Sequence, residues 1–165
     1  GKSTLLQTFA GLLSPVSGTY HRSPAFCYLS DTPPLKSRVS VQEHLRCWRS
    51  LSPGKRDVSA AALCRWGLED AASAPAGRLS FGQRQRLHLC RLDLAAPALW
   101  LLDEPCNGLD KAAQATLAGV LCAHLQAGAA VLMASHISLE GVPEEVVHLP
   151  SPCPAAVTLP WQSAW

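Results

Sequence analysis

Residues 98–105 read ALWLLDEP, and residues 129–136 read AAVLMASH. Both are short apolar runs without alternation, and the first ends in two acids and the second in a serine and a histidine. An uninterrupted run of this kind suits a strand covered on both faces, which is typical of parallel sheets. The segment between them, GLDKAAQATLAGVLCAHLQAG, has helical composition, with Asp110 placed to cap its start and Gly128 near its end. Strand, helix, strand predicts parallel pairing and an α/β fold. In such sheets ligands lie beyond the carboxyl ends of the strands. Asp103, Glu104 and His136 all fall there, before any motif is consulted.

The preceding half is mainly helical in pattern. Residues 3–13 place Leu5, Leu6, Phe9 and Leu12 on one side of a helix, followed by a turn at SPVSG. FCYL, residues 26–29, reads as a strand, and Pro33 and Pro34 then break the chain. Helices are predicted over Val41–Leu51, Val58–Trp66 and Leu79–Leu94, with loops at SPGK and over 71–78. The boundaries are therefore an α/β domain over 1–149, with an inserted helical subdomain over about 33–95. The tail, 150–165, is rich in proline and uncharged, and is expected to be disordered.

Three stretches carry chemistry. The chain opens GKST directly before an apolar helix, as the last part of the phosphate-binding pattern G-x-x-x-x-G-K-[ST] does. On that reading Gly1 lies inside a motif, the chain is a fragment, and Gly1 cannot form the N–H cradle alone. In LSFGQ, Ser80 and Gln83 have the spacing of a capping box, and Gly82 keeps the first turn free of a side chain. A helix start of this kind offers N–H groups and a positive dipole end to an anion, although an ordinary capped helix has the same pattern. In LLDEP, an acid at the end of a buried strand needs a cation or donors. In P-loop nucleotidases one such acid and the loop Ser or Thr hold Mg²⁺. Ser3 and Asp103 fill those parts, and Glu104 is free to orient or deprotonate a water. Taken alone, the acid pair suits a solvated loop equally well.

GKST, LSFGQ, LLDEP, GLD and SH occur in the order found in nucleotide-binding domains of ABC transporters, and over residues 1–140 the chain resembles that family. The resemblance implies a P-loop nucleotidase with a mainly parallel sheet that binds ATP and Mg²⁺. By it, Gly1, Lys2, Ser3 and Thr4 belong to the phosphate loop, with Lys2 on phosphate and Ser3 and Asp103 on the metal. Ser80, Gly82 and Gln83 match the signature, Asp110 the D-loop acid, Glu104 the catalytic carboxylate and His136 the switch histidine. Within the family, RLSFGQRQRLHLCRLDLAAPALWLLDEPCNGLDKAA and CYLSDTPPLKSRVSVQEHLRCW are similar to the ATP-binding subunits of the cytochrome c maturation haem exporters.

The partners this resemblance implies are a hydrophobic membrane-spanning subunit and a second nucleotide-binding subunit, in a homodimer with ATP between Lys2 of one copy and Ser80 of the other. It implies a peripheral membrane location on the cytoplasmic face, or on the matrix or stromal face in an organelle. A net charge of +2 gives no basic surface for nucleic acid. No apolar run reaches the roughly 18 residues of a membrane span, so a membrane role would come through a partner. The seven dispersed cysteines suit reduced thiols better than a disulfide frame, and neither they nor the six histidines have metal-ligand spacing. Thr32 stands where the family has the Q-loop Gln, which implies altered coupling, and the link from Gly18 to Phe26 is short. Two rival readings are a non-transport ABC ATPase and a binding module that keeps the fold without turnover.

Overall fold

The computed structural model describes residues 1–21, 25–51, 59–94 and 97–149. The SPGK loop, Val58 and the tail from Pro150 lie outside the described residues. Three strands, β1 (Phe26–Leu29), β2 (Leu99–Asp103) and β3 (Ala130–Ala134), form a parallel sheet in the order β1-β2-β3. Leu101 pairs with Tyr28 on one side and Leu132 on the other. The helices are α1 (Lys2–Phe9), α2 (Val41–Ser50), α3 (Ser59–Arg65), α4 (Phe81–Leu94) and α5 (Lys111–Gln126).

The central strand β2 is buried from Trp100 to Asp103 because both of its faces are covered, whereas β3, at the edge of the described sheet, is half-buried over Val131–Met133 and is not the fully buried strand that its apolar run predicts. Leu101 and Ala134 bury against Leu6 of α1 and its C-cap residue Ala10, with Phe26, Tyr28, Leu99 and Leu132 around them. On the other face Cys27, Leu29, Trp100 and Leu102 join Leu87 and Leu89 of α4 and Leu117 and Leu121 of α5. Successive strand residues point to opposite faces, so Trp100 and Leu102 serve one layer and Leu99 and Leu101 the other.

Helix α1 is shorter than its apolar spacing predicts. Gly11 takes φ +72°, and the amides of Gly11 and Leu12 donate to the carbonyls of Thr8 and Gln7, which is the paired closure of a Schellman motif. Leu12, expected on the buried side, is 64% exposed. The segment 71–78 is not a plain loop: 3-10 turns occur at Glu69–Ala71 and Ala76–Arg78.

Local chemistry accounts for the other helix starts. Ser40 and Glu43 form a reciprocal capping box on α2, which the sequence reading did not single out. Asp110 accepts from the Ala113 amide at 2.8 Å and starts α5. The helical region is tied together by Asp93 on α4, which accepts from Trp66 Nε1 at 2.8 Å and pairs with Arg65 at 2.9 Å. Among the described residues no helix is long and apolar enough to cross a membrane, and the six described cysteines are free thiols.

Candidate active site

The carboxyl ends of β2 and β3 and the start of α1 converge. Gly1 is the N-cap residue of α1 and makes no side-chain cap, and Leu5 N–H donates to its carbonyl at 2.9 Å. Ser3, in the first turn, donates from Oγ to Asp103 Oδ1 at 3.0 Å. Lys2 Nζ lies 3.7 Å from Glu104 Oε1 and 3.1 Å from His136 Nε2. Thr4 is exposed on the first turn, and its carbonyl accepts from Thr8 Oγ1 at 2.8 Å.

The two adjacent acids differ in setting. Asp103 ends β2 and is 2% exposed. Burial pushes its carboxyl above the usual range; the Ser3 hydroxyl opposes this, Asp31 and Glu104 add to it, and Lys2 counters them. A carboxyl whose folded pKa exceeds its unfolded value favours the fold at low pH, and that contribution is lost as pH rises through the folded pKa. Ionised Asp103 therefore costs stability at neutral pH until a cation neutralises it. Asp103→Asn is expected to raise the melting temperature of the metal-free chain at neutral pH, with the gain shrinking on acidification. Thermal melts across that range would show it, and a lower melting temperature at neutral pH would contradict it.

Glu104 turns away from the strand. Its φ is +46°, in the left-handed region that costs an L-residue roughly 1–2 kcal/mol. Its amide donates to the Ala134 carbonyl at 2.7 Å, fixing the turn to the end of β3. The carboxylate is thereby set between Lys2 and His136, with Oε1 3.3 Å from His136 Nε2 and Oε2 accepting from the His136 amide at 3.3 Å. Ser135 holds the histidine's own turn, accepting from Ile137 N–H at 2.9 Å and donating to its carbonyl at 2.8 Å.

The remaining sequence candidates form a second group. The Ser80 amide donates to Gln83 Oε1 at 2.9 Å, and the Gln83 amide donates to Ser80 Oγ at 3.2 Å, closing the expected box. A Cβ on Gly82 would lie 2.7 Å from the Gly108 carbonyl oxygen, so α4 starts in close backbone contact with the turn after Glu104. Gln85, 1% exposed, secures the approach by donating to the Pro105 carbonyl at 3.1 Å. Asp110 is spent on its cap. Among the described residues no hydrogen bond or ion pair joins Ser80, Gln83 or Asp110 to Lys2, Ser3 or His136.

The arrangement offers an ammonium group for an anion and a hydroxyl–carboxylate pair of hard oxygens for a small divalent cation. Beside them stands a second carboxylate, that of Glu104, held between Lys2 and His136. Asp31 was not singled out from the sequence, while Gln85 and Ser135 were noted only as a polar group beside the α4 start and as the residue before His136. Gln85 had a signal, since an amide within an otherwise apolar helix face needs a buried partner.

The sequence profile of the ABC transporter family matches residues 1–107. The cytochrome c biogenesis ATP-binding export protein CcmA of Paracoccus denitrificans is 44% identical over 151 residues, spanning 90% of this chain and 70% of that protein. Its counterpart in Roseobacter denitrificans is 43% identical over 143 residues, 84% of this chain and 67% of the relative. A solved ATP-binding subunit of an ABC transporter superposes with a TM-score of 0.74 at 27% identity, covering 83% of this chain and 64% of that one. The chain thus spans about two thirds of the length of these relatives.

Proposed function

Because this chain belongs to the ABC transporter family as an ATP-binding subunit, we propose that it hydrolyses ATP to drive an export complex of cytochrome c biogenesis, with haem or a related component as cargo. The observation that carries the reading is the meeting of Lys2, Ser3, Asp103, Glu104 and His136 at the ends of β2 and β3. The cargo class rests on the names of the relatives and on the runs around Ser80 and Asp103 that resemble them.

The site's residues fit the implied metal. The Ser3 hydroxyl and the Asp103 carboxylate are paired at 3.0 Å, and Asp31 and Glu104 concentrate negative charge on Asp103. These two residues would hold Mg²⁺, which when bound neutralises phosphate charge and orients the terminal phosphate. The protein's own groups do the rest. Lys2 leaves Glu104 for the phosphates of ATP, and the first-turn amides of α1 face the same charge. Glu104 takes a proton from the attacking water, and His136 donates to the terminal phosphate.

Ser80, Gly82, Gln83 and Asp110 act across the interface in this reading. Two copies face each other, and Ser80 of one meets the nucleotide held by Lys2 of the other, which suits a signature group standing apart from Lys2 within one chain. The helices between Thr32 and Leu94 meet the membrane subunit on the cytoplasmic, matrix or stromal face. The unit runs over 1–149, with the helical subdomain over about 33–95.

The test is Mg²⁺-dependent ATP hydrolysis by the chain and by a form extended to the length of its relatives, with and without a membrane-spanning subunit in lipid. Hydrolysis stimulated by that subunit is expected; ATP binding without hydrolysis would favour the module without turnover. Thr32 supplies a finer check. It is exposed, and its carbonyl accepts from Ser30 Oγ at 2.8 Å, while its side chain is too short for the reach of a glutamine. Thr32→Gln is expected to raise turnover or its stimulation, and no change in either would make this an ordinary loop residue.

A further inference from the structure

The loop that leaves β1 begins at Ser30, directly after Leu29, which pairs with Leu102 next to Asp103. It ends at the start of α2, and its two halves are held differently. The far half is stitched by main chain to the segment that leads to Ser80. Gly77 N–H donates to the Ser37 carbonyl and Ala76 N–H to the Val39 carbonyl, both at 2.9 Å. Val41 and Gln42 donate to the Ala74 and Ala72 carbonyls at 3.1 and 3.0 Å. A Cβ on Gly77 would lie 3.0 Å from Ser37, so the two segments touch. Residues 37–42 thus form one unit with the approach to α4.

In the near half, Ser30 Oγ holds the Thr32 carbonyl and Leu35 N–H holds the Pro33 carbonyl, each at 2.8 Å. Both bonds stay inside the loop. The bond that reaches out is made by His44 of α2, which is 6% exposed. Lys36 N–H donates to its ring Nε2 at 3.0 Å, so this nitrogen accepts. Nδ1 lies 2.9 Å from the Ser40 carbonyl, which has no proton to give, so Nδ1 carries the ring hydrogen. The two partners dictate one tautomer. Trp48, one turn further on the same face of α2, stands 5.6 Å from the imidazole, and Arg91 of α4 lies 5.6 Å above the Trp48 ring.

We propose that His44 is a positioning residue for this site, its imidazole pinning the near half of the loop, with Thr32, to the unit that carries the start of α4. A shift at Ser80 then reaches Thr32 and the carboxyl end of the sheet through one ring. Without that ring the near half turns freely between Leu29 and Ser37. The functional meaning rests on the ATP-binding reading above; the pin itself does not.

Two measurements on the chain test it. Nitrogen-15 NMR of the His44 ring should show the Nδ1–H tautomer; the Nε2–H form, or an average of the two, would overturn the proposal without any mutation. Amide exchange at Leu35 and Lys36 should speed up roughly fivefold in His44→Phe, the factor set by one modest hydrogen bond. Phenylalanine keeps a ring against Trp48 and removes both nitrogens. His44→Gln brings an amide oxygen near the place of Nε2 and should return the rates toward their original values. Exchange at Ala76 and Gly77 should stay unchanged in both variants. Unaltered exchange at Lys36, or no recovery with glutamine, would refute the pin. Equal acceleration at Ala76 and Gly77 would refute it too, leaving His44 as a general stabiliser of α2. Neither measurement needs nucleotide, so a failure of the ATPase reading would show in hydrolysis alone. If the phenylalanine variant does not fold, the tautomer measurement decides.

Discussion

Glu104→Gln is expected to slow ATP turnover by about 10²–10⁴-fold, the usual worth of general-base catalysis, or roughly 3–5 kcal/mol of barrier. The amide keeps the shape of the side chain and still accepts from the His136 amide, which donates to Oε2 at 3.3 Å. It cannot take a proton from water. Lys2, Ser3 and Asp103 stay in place, so nucleotide binding should survive and unhydrolysed ATP should accumulate between two copies. The neighbouring acid should behave differently. Asp103 is buried and bonded to Ser3, and Asp103→Asn should weaken Mg²⁺-dependent binding itself. Turnover and ATP-dependent dimerisation of both variants, measured in a form extended to the length of the relatives, separate the two roles. Unchanged turnover in Glu104→Gln would remove Glu104 from the chemistry and leave a binding module as the better reading.

Gly82→Ala should damage fold and site together. The added methyl would sit 2.7 Å from the Gly108 carbonyl oxygen, closer than real contacts allow. The obstacle is main chain, which has no rotamer to escape into. Either the first turn of α4 lifts away or the segment after Glu104 retreats. Overpacking of this kind costs typically about 1–3 kcal/mol, a large share of a stability that is often only about 5–15 kcal/mol. Because Gln85 holds Pro105 one turn further along, the displacement should reach Glu104. Urea unfolding and turnover should therefore both fall. Full activity with unchanged stability would mean that the close approach is not held in solution.

The central strand LWLLD was legible because burial on two faces leaves little freedom of composition. FCYL predicts the strand Phe26–Leu29 at its observed bounds, and AVLMA was legible as a strand although it is only half-buried over Val131–Met133. The Ser80–Gln83 box and the Asp110 cap were legible because side-chain capping is local chemistry at fixed spacing. The end of α1 was not read from the apolar positions, since Leu12 keeps the helical spacing although Gly11 has already reversed the chain. The meeting of Lys2 and Ser3 with Asp103, Glu104 and His136 was implied by the order of the motifs alone, since no local pattern brings residues 2 and 3 to residues 103 and 136. Nothing local in LSFGQ indicates that Gly82 meets Gly108, a contact made by residues far apart in the chain.

The left-handed backbone at Glu104 sets fitness for work against robustness. An asparagine there would tolerate φ +46° better than glutamate does, and the chain would fold more securely as an inert protein. On the proposed reading, hydrolysis is what requires a long carboxylate in that conformation. Where a duplicated copy is released from hydrolysis and kept for binding or assembly, this is the position that should drift first, toward asparagine or glycine. Such drift would leave a record of lost activity in a gene whose Lys2 and Asp103 counterparts still read as intact.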